Sequence, residues 1–195
     1  GIVGAGKFGL VLARIAAEKE NQVTIYSRRV EEVNSINDNG KSLSGIKFPI
    51  NQKTLATTKS RDLIGCDVLL IAVPSKSFRS TIESLEIDIK AIKIVSCTKG
   101  FEEKTGKLMS EILEQDFEVP NKNIFVLSGP NLSKEISNEE LTGTVIAGVD
   151  RDFINKLSNA MSNKYFIPFI NSDRYGVEMG GAMKNIYAII SGYFH

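Results

Sequence analysis

The sequence contains one histidine, two cysteines and no tryptophan, and these low counts exclude several kinds of site. The histidine is the last residue, His195, so a catalytic triad or a metal site built on internal histidines is excluded. Two cysteines form neither a disulfide framework nor a four-cysteine zinc site. The longest strictly apolar run, residues 68–73, is too short to span a bilayer. If the protein is an enzyme, another side chain must move protons.

An excess of charge of one sign is also lacking, because 24 basic side chains stand against 23 acidic ones and the formal net charge is +1. This balance gives no general reason to expect a nucleic acid as partner, and no segment predicts a membrane partner. The hydrophobic fraction of 42% is typical of globular proteins. The 195 residues suffice for one domain, or for one domain and part of a second.

Short β-type runs alternate with helical stretches, which is typical of a doubly wound α/β fold with a mostly parallel sheet. The predicted strands cover residues 1–3, 22–26, 55–57, 68–73, 93–97, 123–127, 144–147 and 166–170. The predicted helices cover residues 8–18, 106–113, 153–163 and 175–193, and residues 34–45 are predicted as a polar loop. We expect residues 1–173 to form this sheet domain. Residues 174–195 are expected to begin a second, all-α domain that is cut off.

A glycine motif, G-x-G-x-x-G, lies between the first predicted strand and the first predicted helix, with Gly4, Gly6 and Gly9 as its glycines. In this context the motif predicts a Rossmann-type dinucleotide site, in which the backbone approaches a pyrophosphate at the helix N-terminus. The alternative is a glycine-rich turn without a ligand. The complete motif favours the dinucleotide.

The end of the second predicted strand indicates which dinucleotide is preferred. An NAD site usually has an acidic residue there, for the ribose hydroxyls, whereas this chain has Arg28 and Arg29. Two guanidinium groups suit a 2′-phosphate, so the sequence favours NADPH over NADH. The alternative is that both arginines are solvated or stack on the adenine.

Three later strand ends carry polar or backbone-exposing turns, and ligands of open α/β sheets bind at such ends. Pro74 follows the fourth strand, Lys99 follows the fifth, and the turn with Gly129 and Asn131 follows the sixth. Lys99 is a cation where a nicotinamide and an anionic substrate are expected to meet. The alternative for Lys99 is an ordinary solvated lysine.

Lys184 lies on a helix face that otherwise carries small residues, namely Gly176, Gly180 and Ala188, with Gly181 and Asn185 beside it. Such a face leaves room for another backbone, and a desolvated lysine exchanges a proton near neutral pH. The alternative, a surface lysine extending from a packed helix, is about equally compatible with the pattern.

Together these motifs resemble the bacterial type of the NAD(P)-dependent glycerol-3-phosphate dehydrogenase family. The resemblance is carried in order by GAGKFG (4–9), YSRR (26–29), LSG (43–45), VPSKSFR (73–79), CTKGFEEKTGKLMSEIL (97–113), LSGPNLSKEI (127–136) and GVEMGGAMKNIYAIISG (176–192). It implies interconversion of dihydroxyacetone phosphate and glycerol 3-phosphate with NAD(P)H, for glycerophospholipid synthesis in the cytoplasm.

The resemblance also implies roles for single residues. Lys7, Phe8, Arg28, Arg29 and Ser133 match cofactor-contacting positions, beside the motif glycines and Pro74. Lys99 matches a lysine near both cofactor and substrate, Gly129 and Asn131 match substrate-contacting positions, and Lys184 matches the catalytic lysine. Three positions depart from the family's usual residues, because Asn131 replaces a small hydroxyl residue, Ser42 an aromatic one and Lys7 a small polar one.

In the implied reaction, Lys184 gives a proton to the alkoxide that hydride transfer creates, and Lys99 adds positive charge. The family continues with a helical domain that supplies further substrate contacts, so this chain alone is expected to be inactive. Rival functions are another β-hydroxyacid or ketopantoate-type dehydrogenase, and a dinucleotide-binding module without catalysis. A homodimer is compatible with the sequence, which does not determine the oligomeric state.

Overall fold

The computed structural model describes residues 1–49 and 54–193, apart from the side chains of residues 185, 186 and 188. Eight strands in these ranges form one sheet, in the order β3-β2-β1-β4-β5-β6-β7-β8. Neighbouring strands are parallel except β6 and β7. The strands are β1 (Ile2–Val3), β2 (Val23–Tyr26), β3 (Thr54–Thr57), β4 (Val68–Ile71), β5 (Lys93–Ser96), β6 (Ile124–Ser128), β7 (Thr142–Ala147) and β8 (Phe166–Asn171). The predicted Rossmann-type, mostly parallel sheet is confirmed.

Helices cover both faces of this sheet. They are α1 (Lys7–Glu18), α2 (Val30–Asn39), α3 (Ser75–Glu83), α4 (Met109–Glu111), α5 (Ser133–Ser137), α6 (Arg151–Met161) and α7 (Arg174–Tyr193). The helix predicted over residues 106–113 begins only at Met109, because Gly106 has a φ of +69°, and a π-helical turn, Ile112–Asp116, follows α4.

The predicted loop over residues 34–45 is wrong in its first half, because α2 extends to Asn39. This helix buries only Glu32, Val33 and Ile36, so its polar, asparagine-rich remainder resembles a loop in sequence. Gly40 ends the helix in the left-handed region, with a φ of +60°. Helices α3 and α5 are also absent from the sequence prediction.

Each face of the sheet has its own apolar core. One core includes Leu10 of α1, Ile25 of β2 and Phe125 of β6, all buried. The other includes Phe78 of α3 and Ile94 of β5. Strands buried on both faces account for the continuous apolar runs in the sequence. The two cores pack against both faces of the sheet that carries the strand ends. The order in which strands are added to the sheet reverses between β1 and β4. Folds of this kind bind their ligands at such a point.

The last described helix, α7, begins three residues after β8 and packs against the sheet at β6. Gly181, next to the small-residue face that the sequence predicts, makes the close approach, because a Cβ there would overlap the hydroxyl of Ser128. Gly180 faces open space. The side chains of Asn185 and Ala188, and residues 194 and 195, lie outside the described part. The domain division at residue 173 stays a prediction.

Candidate functional site

The glycine loop, residues 4–9, joins the carboxyl end of β1 to α1, beside the carboxyl end of β4. Gly4 has a φ of +110°, and a Cβ there would lie 2.7 Å from the carbonyl oxygen of Ala72. A Cβ at Gly9 would overlap the carbonyl oxygen of Gly4. At Gly6 no atom lies within 4 Å of a built Cβ, and the residue is exposed. The fold therefore requires Gly4 and Gly9, whereas Gly6 leaves open space at the N-terminus of α1, where a phosphate fits.

The two arginines after β2 make different contacts. The Arg29 guanidinium donates to the carbonyl oxygen of Ala5 at 2.7 Å and forms an ion pair of 3.0 Å with Glu32. Glu32 is buried and also accepts the backbone N–H of Leu43 at 3.2 Å. Arg28 is exposed and has neither a hydrogen bond nor an ion pair with any residue that the structure describes. Arg29 therefore braces the glycine loop, and Arg28 remains available to a ligand.

A cleft of about 420 Å³ runs from the glycine loop along these arginines to the start of α3. Pro74 is the N-cap residue of α3 and lines the cleft, together with Ser77. The cleft thus joins the ends of β1, β2 and β4, and its shape suits the adenosine half of a dinucleotide.

Lys99 ties the turn after β5 to the turn after β6. Its ammonium donates to the carbonyl oxygen of Gly129 at 2.8 Å and lies 5.8 Å from the centre of the Phe8 ring. The preceding residue, Thr98, donates its hydroxyl to the carbonyl oxygen of Val73 at 2.7 Å, which fixes the start of this turn to the end of β4. Phe8, Lys99 and Gly129 therefore form one group beside the glycine loop.

The second predicted lysine, Lys184, reaches the same place from α7. Burial lowers the pKa of Lys99 to about 8, and repulsion by the nearby Lys184 ammonium contributes to this lowering. The two cations are 85 positions apart in the sequence, and packing of α7 on β6 brings them together. An anionic group placed between them would be stabilised by both charges.

Asn131 has an unusual environment for an amide. It is only 6% exposed, yet neither its Nδ2 nor its Oδ1 atom has a hydrogen-bond partner among the described residues. A Cβ built at Gly129 would lie 2.6 Å from Asn131 Oδ1, so the amide lies against the turn that Lys99 contacts. Leaving a buried amide unpaired is costly. A ligand that supplies hydrogen-bond partners therefore fits this turn.

Two further cofactor candidates, Lys7 and Ser133, line a second cleft of about 370 Å³. Ser133 is the first residue of α5. Arg14 of α1 holds the other end of α5, since it donates to the carbonyl oxygens of Ile136 at 2.8 Å and Ser137 at 3.2 Å. The helix that starts at the glycine loop thus also positions Ser133.

Comparisons with known proteins agree with this geometry. Residues 1–154 match the family described as NAD-dependent glycerol-3-phosphate dehydrogenase N-terminus. The chain belongs to the glycerol-3-phosphate dehydrogenase family. Membership implies a nicotinamide dinucleotide as cofactor.

Curated relatives and a solved structure extend this match beyond the glycine loop. The glycerol-3-phosphate dehydrogenase (NAD(P)+) of Pseudomonas fluorescens (strain Pf0-1) is 38% identical over 194 residues, 98% of this chain and 54% of the relative. The enzyme of the same name from Alcanivorax borkumensis is 39% identical over 196 residues, 98% of this chain and 56% of the relative. The crystal structure of glycerol-3-phosphate dehydrogenase from Coxiella burnetii superposes with a TM-score of 0.84 at 29% identity, and the match covers 98% of this chain and 59% of that one. The chain thus spans about half the length of the curated relatives it matches.

Several contacts in this glycerol-3-phosphate dehydrogenase family member are absent from the sequence prediction. The ion pair of Arg29 with Glu32, the hold of Arg14 on α5 and the burial of Glu178 on α7 are examples. Glu32 follows Arg29 by three residues, and this helical spacing is a signal from which their ion pair can be predicted. The partners of Arg14 and Glu178 are far away in the sequence, and no local pattern indicates them.

Within the described ranges, no group of three or more histidine, cysteine or acidic side chains is arranged to hold a metal ion. The helices in those same ranges are all too short or too polar to cross a membrane. Cys66 and Cys97 are both free, and Cys97 is buried.

Proposed function

We propose that this chain binds NADPH and provides the cofactor site and two lysines for reduction of dihydroxyacetone phosphate to glycerol 3-phosphate. The meeting of Lys99 and Lys184 beside the glycine loop, next to an unpaired buried amide, carries this proposal. A phosphorylated ketone is anionic and has carbonyl and hydroxyl oxygens, so it complements two cations and an amide. Glycerol-3-phosphate dehydrogenase is also the name of the curated relatives.

The cofactor roles are divided around the glycine loop. Gly4, Gly6 and Gly9 hold the pyrophosphate, and the open space at Gly6 fits it. The cleft with Arg28, Arg29 and Pro74 takes the adenosine half, and free Arg28 favours the 2′-phosphate of NADPH. We assign Lys7, Phe8, Lys99 and Ser133 to the nicotinamide half of the cofactor.

In the reaction, a bound nicotinamide supplies the chemistry of hydride transfer. Lys184, as an ammonium, donates a proton to the alkoxide oxygen that develops on the substrate. Lys99 stabilises the negative charge, with Gly129 and Asn131 orienting the substrate. In the reverse direction a neutral lysine is needed as base. In the structure, burial and the nearby Lys184 lower the pKa of Lys99 to about 8.

We place this activity in the cytoplasm, where it supplies glycerophospholipid synthesis, with small molecules rather than nucleic acids or membranes as partners. The near-neutral charge and the free cysteines support this placement. Homodimer formation and the helical domain from residue 174 stay predictions.

The test measures two quantities. Calorimetry gives the affinity of this chain for NADPH and NADH. Oxidation of NADPH in the presence of dihydroxyacetone phosphate is then followed for this chain and for a chimera that adds the second half of the Pseudomonas fluorescens relative. We expect NADPH to bind both proteins and the chimera to turn over. A chimera that binds NADPH and leaves dihydroxyacetone phosphate unreduced, while it reduces a 2-oxo acid instead, would contradict the proposed substrate.

The Lys184→Met chimera tests the catalytic role. We expect turnover to fall by about two to four orders of magnitude while NADPH affinity is kept, since the proton donor is lost and the cofactor cleft is not. Turnover close to that of the parent chimera would remove Lys184 from this role.

A further inference from the structure

The first turns of α7, the helix that carries Lys184, are tied to the sheet domain by polar contacts. Arg174 forms an ion pair of 2.5 Å with Glu114 and donates to the side-chain oxygen of Asn121 at 2.7 Å. These two contacts hold the start of α7 against the surface of the sheet domain. Both lie more than two turns before Lys184, so they do not by themselves fix where its ammonium lies.

One turn further along α7, a buried carboxylate makes a second attachment. Glu178 is only 3% exposed. One of its carboxylate oxygens accepts the backbone N–H of Ser110 at 3.1 Å, and the other accepts the Ser110 hydroxyl. Ser110 lies in the single turn of α4, so Glu178 joins α7 directly to the element that follows the Lys99 loop. The close contact of Gly181 with Ser128 comes next along α7.

A carboxylate in this position carries a cost. Burial raises the pKa of Glu178, and the two Ser110 hydrogen bonds and the charge of Arg174 only oppose this rise. The neighbouring Glu111 on α4 raises it further. An apolar side chain would fill the same place without the desolvation penalty, so the contact is better explained by the geometry that it imposes than by stability.

We propose that Glu178 is a positioning residue, which anchors α7 to α4 and so holds Lys184 next to Lys99. This inference rests on the proposed function, because it assumes that both lysines act on the substrate. Two hydrogen bonds from one serine fix the carboxylate in direction as well as distance. Lys184 follows Glu178 by less than two helical turns, so a rotation or shift of α7 at Glu178 moves the ammonium of Lys184.

Lys99 reports this arrangement, because Lys184 is one of the groups that lower its pKa. The other influences on Lys99 are burial, which is the largest, and the Cys97 thiol. If Glu178→Gln loosens α7, Lys184 moves away and the pKa of Lys99 rises from about 8 toward its ordinary value. Loss of a negative charge acting directly on Lys99 would lower its pKa instead. The two explanations therefore predict changes of opposite sign in the pKa of Lys99.

The experiment is an NMR titration of the lysine side chains of this chain, with the Lys99 signal assigned through Lys99→Arg. We expect Lys184→Met to raise the pKa of Lys99 by roughly one pH unit, as loss of a close like charge does. Glu178→Gln is expected to produce part of that rise, and Ser110→Ala a smaller part. In the Lys184→Met background, Glu178→Gln should cause no further rise. Glu103→Gln serves as the matched control, because it removes an exposed carboxylate from the loop that follows Lys99. We expect this variant to leave the pKa of Lys99 unchanged.

An unchanged or lowered pKa of Lys99 in folded Glu178→Gln would overturn the proposal, and so would an equal rise in the Lys184→Met background. Thermal unfolding checks that each variant is folded. Should Glu178→Gln not fold, Ser110→Ala decides, since it removes only the hydroxyl donor. The titration needs neither cofactor nor turnover. Failure of the proposed function would therefore appear in the reduction assay and leave this result intact.

Discussion

The ammonium of Lys99 lies 2.8 Å from the carbonyl oxygen of Gly129, so that the turn after β5 is bonded to the turn after β6. In an open parallel sheet, turns at neighbouring strand ends are separate loops, and each is free to move by itself. The Lys99 contact joins two of them. The buried amide of Asn131, on the second turn, is thereby held at a fixed place relative to the cation on the first.

The lowered pKa of Lys99 predicts how stability depends on pH. The unfolded chain holds the Lys99 proton up to about pH 10.5, whereas the folded chain loses it near pH 8. Between these values the unfolded state binds more protons, so Lys99 makes the free energy of unfolding rise with pH. Over this window we expect the stability of the wild type, relative to Lys99→Met, to increase by about 1 kcal/mol, after a discount for partial exposure. Urea denaturation at pH 7.5 and pH 10 measures this difference. A constant difference across the window would show that the pKa is not lowered.

Gly6 and Gly9 form a matched pair for testing the glycine loop. Gly6→Ala adds a methyl group to open space, so we expect little change in melting temperature, and a loss of NADPH affinity by about tenfold or more as the methyl meets the pyrophosphate. Gly9→Ala forces a methyl group against the carbonyl oxygen of Gly4, so we expect unfolding to become easier by about 1–3 kcal/mol. Calorimetric titration and thermal unfolding of both variants separate binding from folding. Full NADPH affinity in Gly6→Ala would place the pyrophosphate elsewhere.

The sequence predicted those parts of the molecule that depend on local pattern. The glycine loop, the strand ends with Lys99 and Gly129, and the helical position of Lys184 follow from spacing alone. Helix α2 was missed because only Glu32, Val33 and Ile36 are buried on it. Contacts across the fold gave no such signal, because Glu178 and its partner Ser110 are 68 positions apart and only packing brings them together.

The two arginines after β2 should differ in their effect on cofactor choice. Arg28 has no partner among the residues described, whereas Arg29 is held by Ala5 and Glu32. Loss of a charge-assisted hydrogen bond costs about 1.5–3 kcal/mol, so Arg28→Gln should weaken NADPH binding by about 10- to 100-fold and leave NADH nearly unchanged. Arg29→Gln should weaken both cofactors alike, since the brace of the glycine loop is lost. Measured dissociation constants for NADPH and NADH give the preference of each variant as a ratio of the two. The assignment fails if Arg29→Gln alters the NADPH-to-NADH ratio as strongly as Arg28→Gln does.

Arg14 should affect only the nicotinamide side of the site. Its guanidinium caps α5 through the carbonyl oxygens of Ile136 and Ser137, and α5 begins at Ser133 beside the second cleft. Arg14→Met should therefore displace Ser133 and raise the dissociation constant of NADPH by about tenfold, the equivalent of one or two hydrogen bonds. Adenosine 2′,5′-bisphosphate, which fills only the cleft with Arg28, should bind Arg14→Met as it binds the wild type.

The comparison of these two ligands separates positioning from general damage to the fold. A destabilised protein would lose affinity for both, and Arg151→Met, at an exposed arginine that begins α6, should lose affinity for neither. Equal weakening of both ligands in Arg14→Met would assign Arg14 to overall stability. The two ligands differ only in the half of the dinucleotide that is assigned to Ser133. Selective weakening of NADPH binding would therefore establish that α1 supports the site in two ways, through the glycine loop at its start and through α5 from its middle.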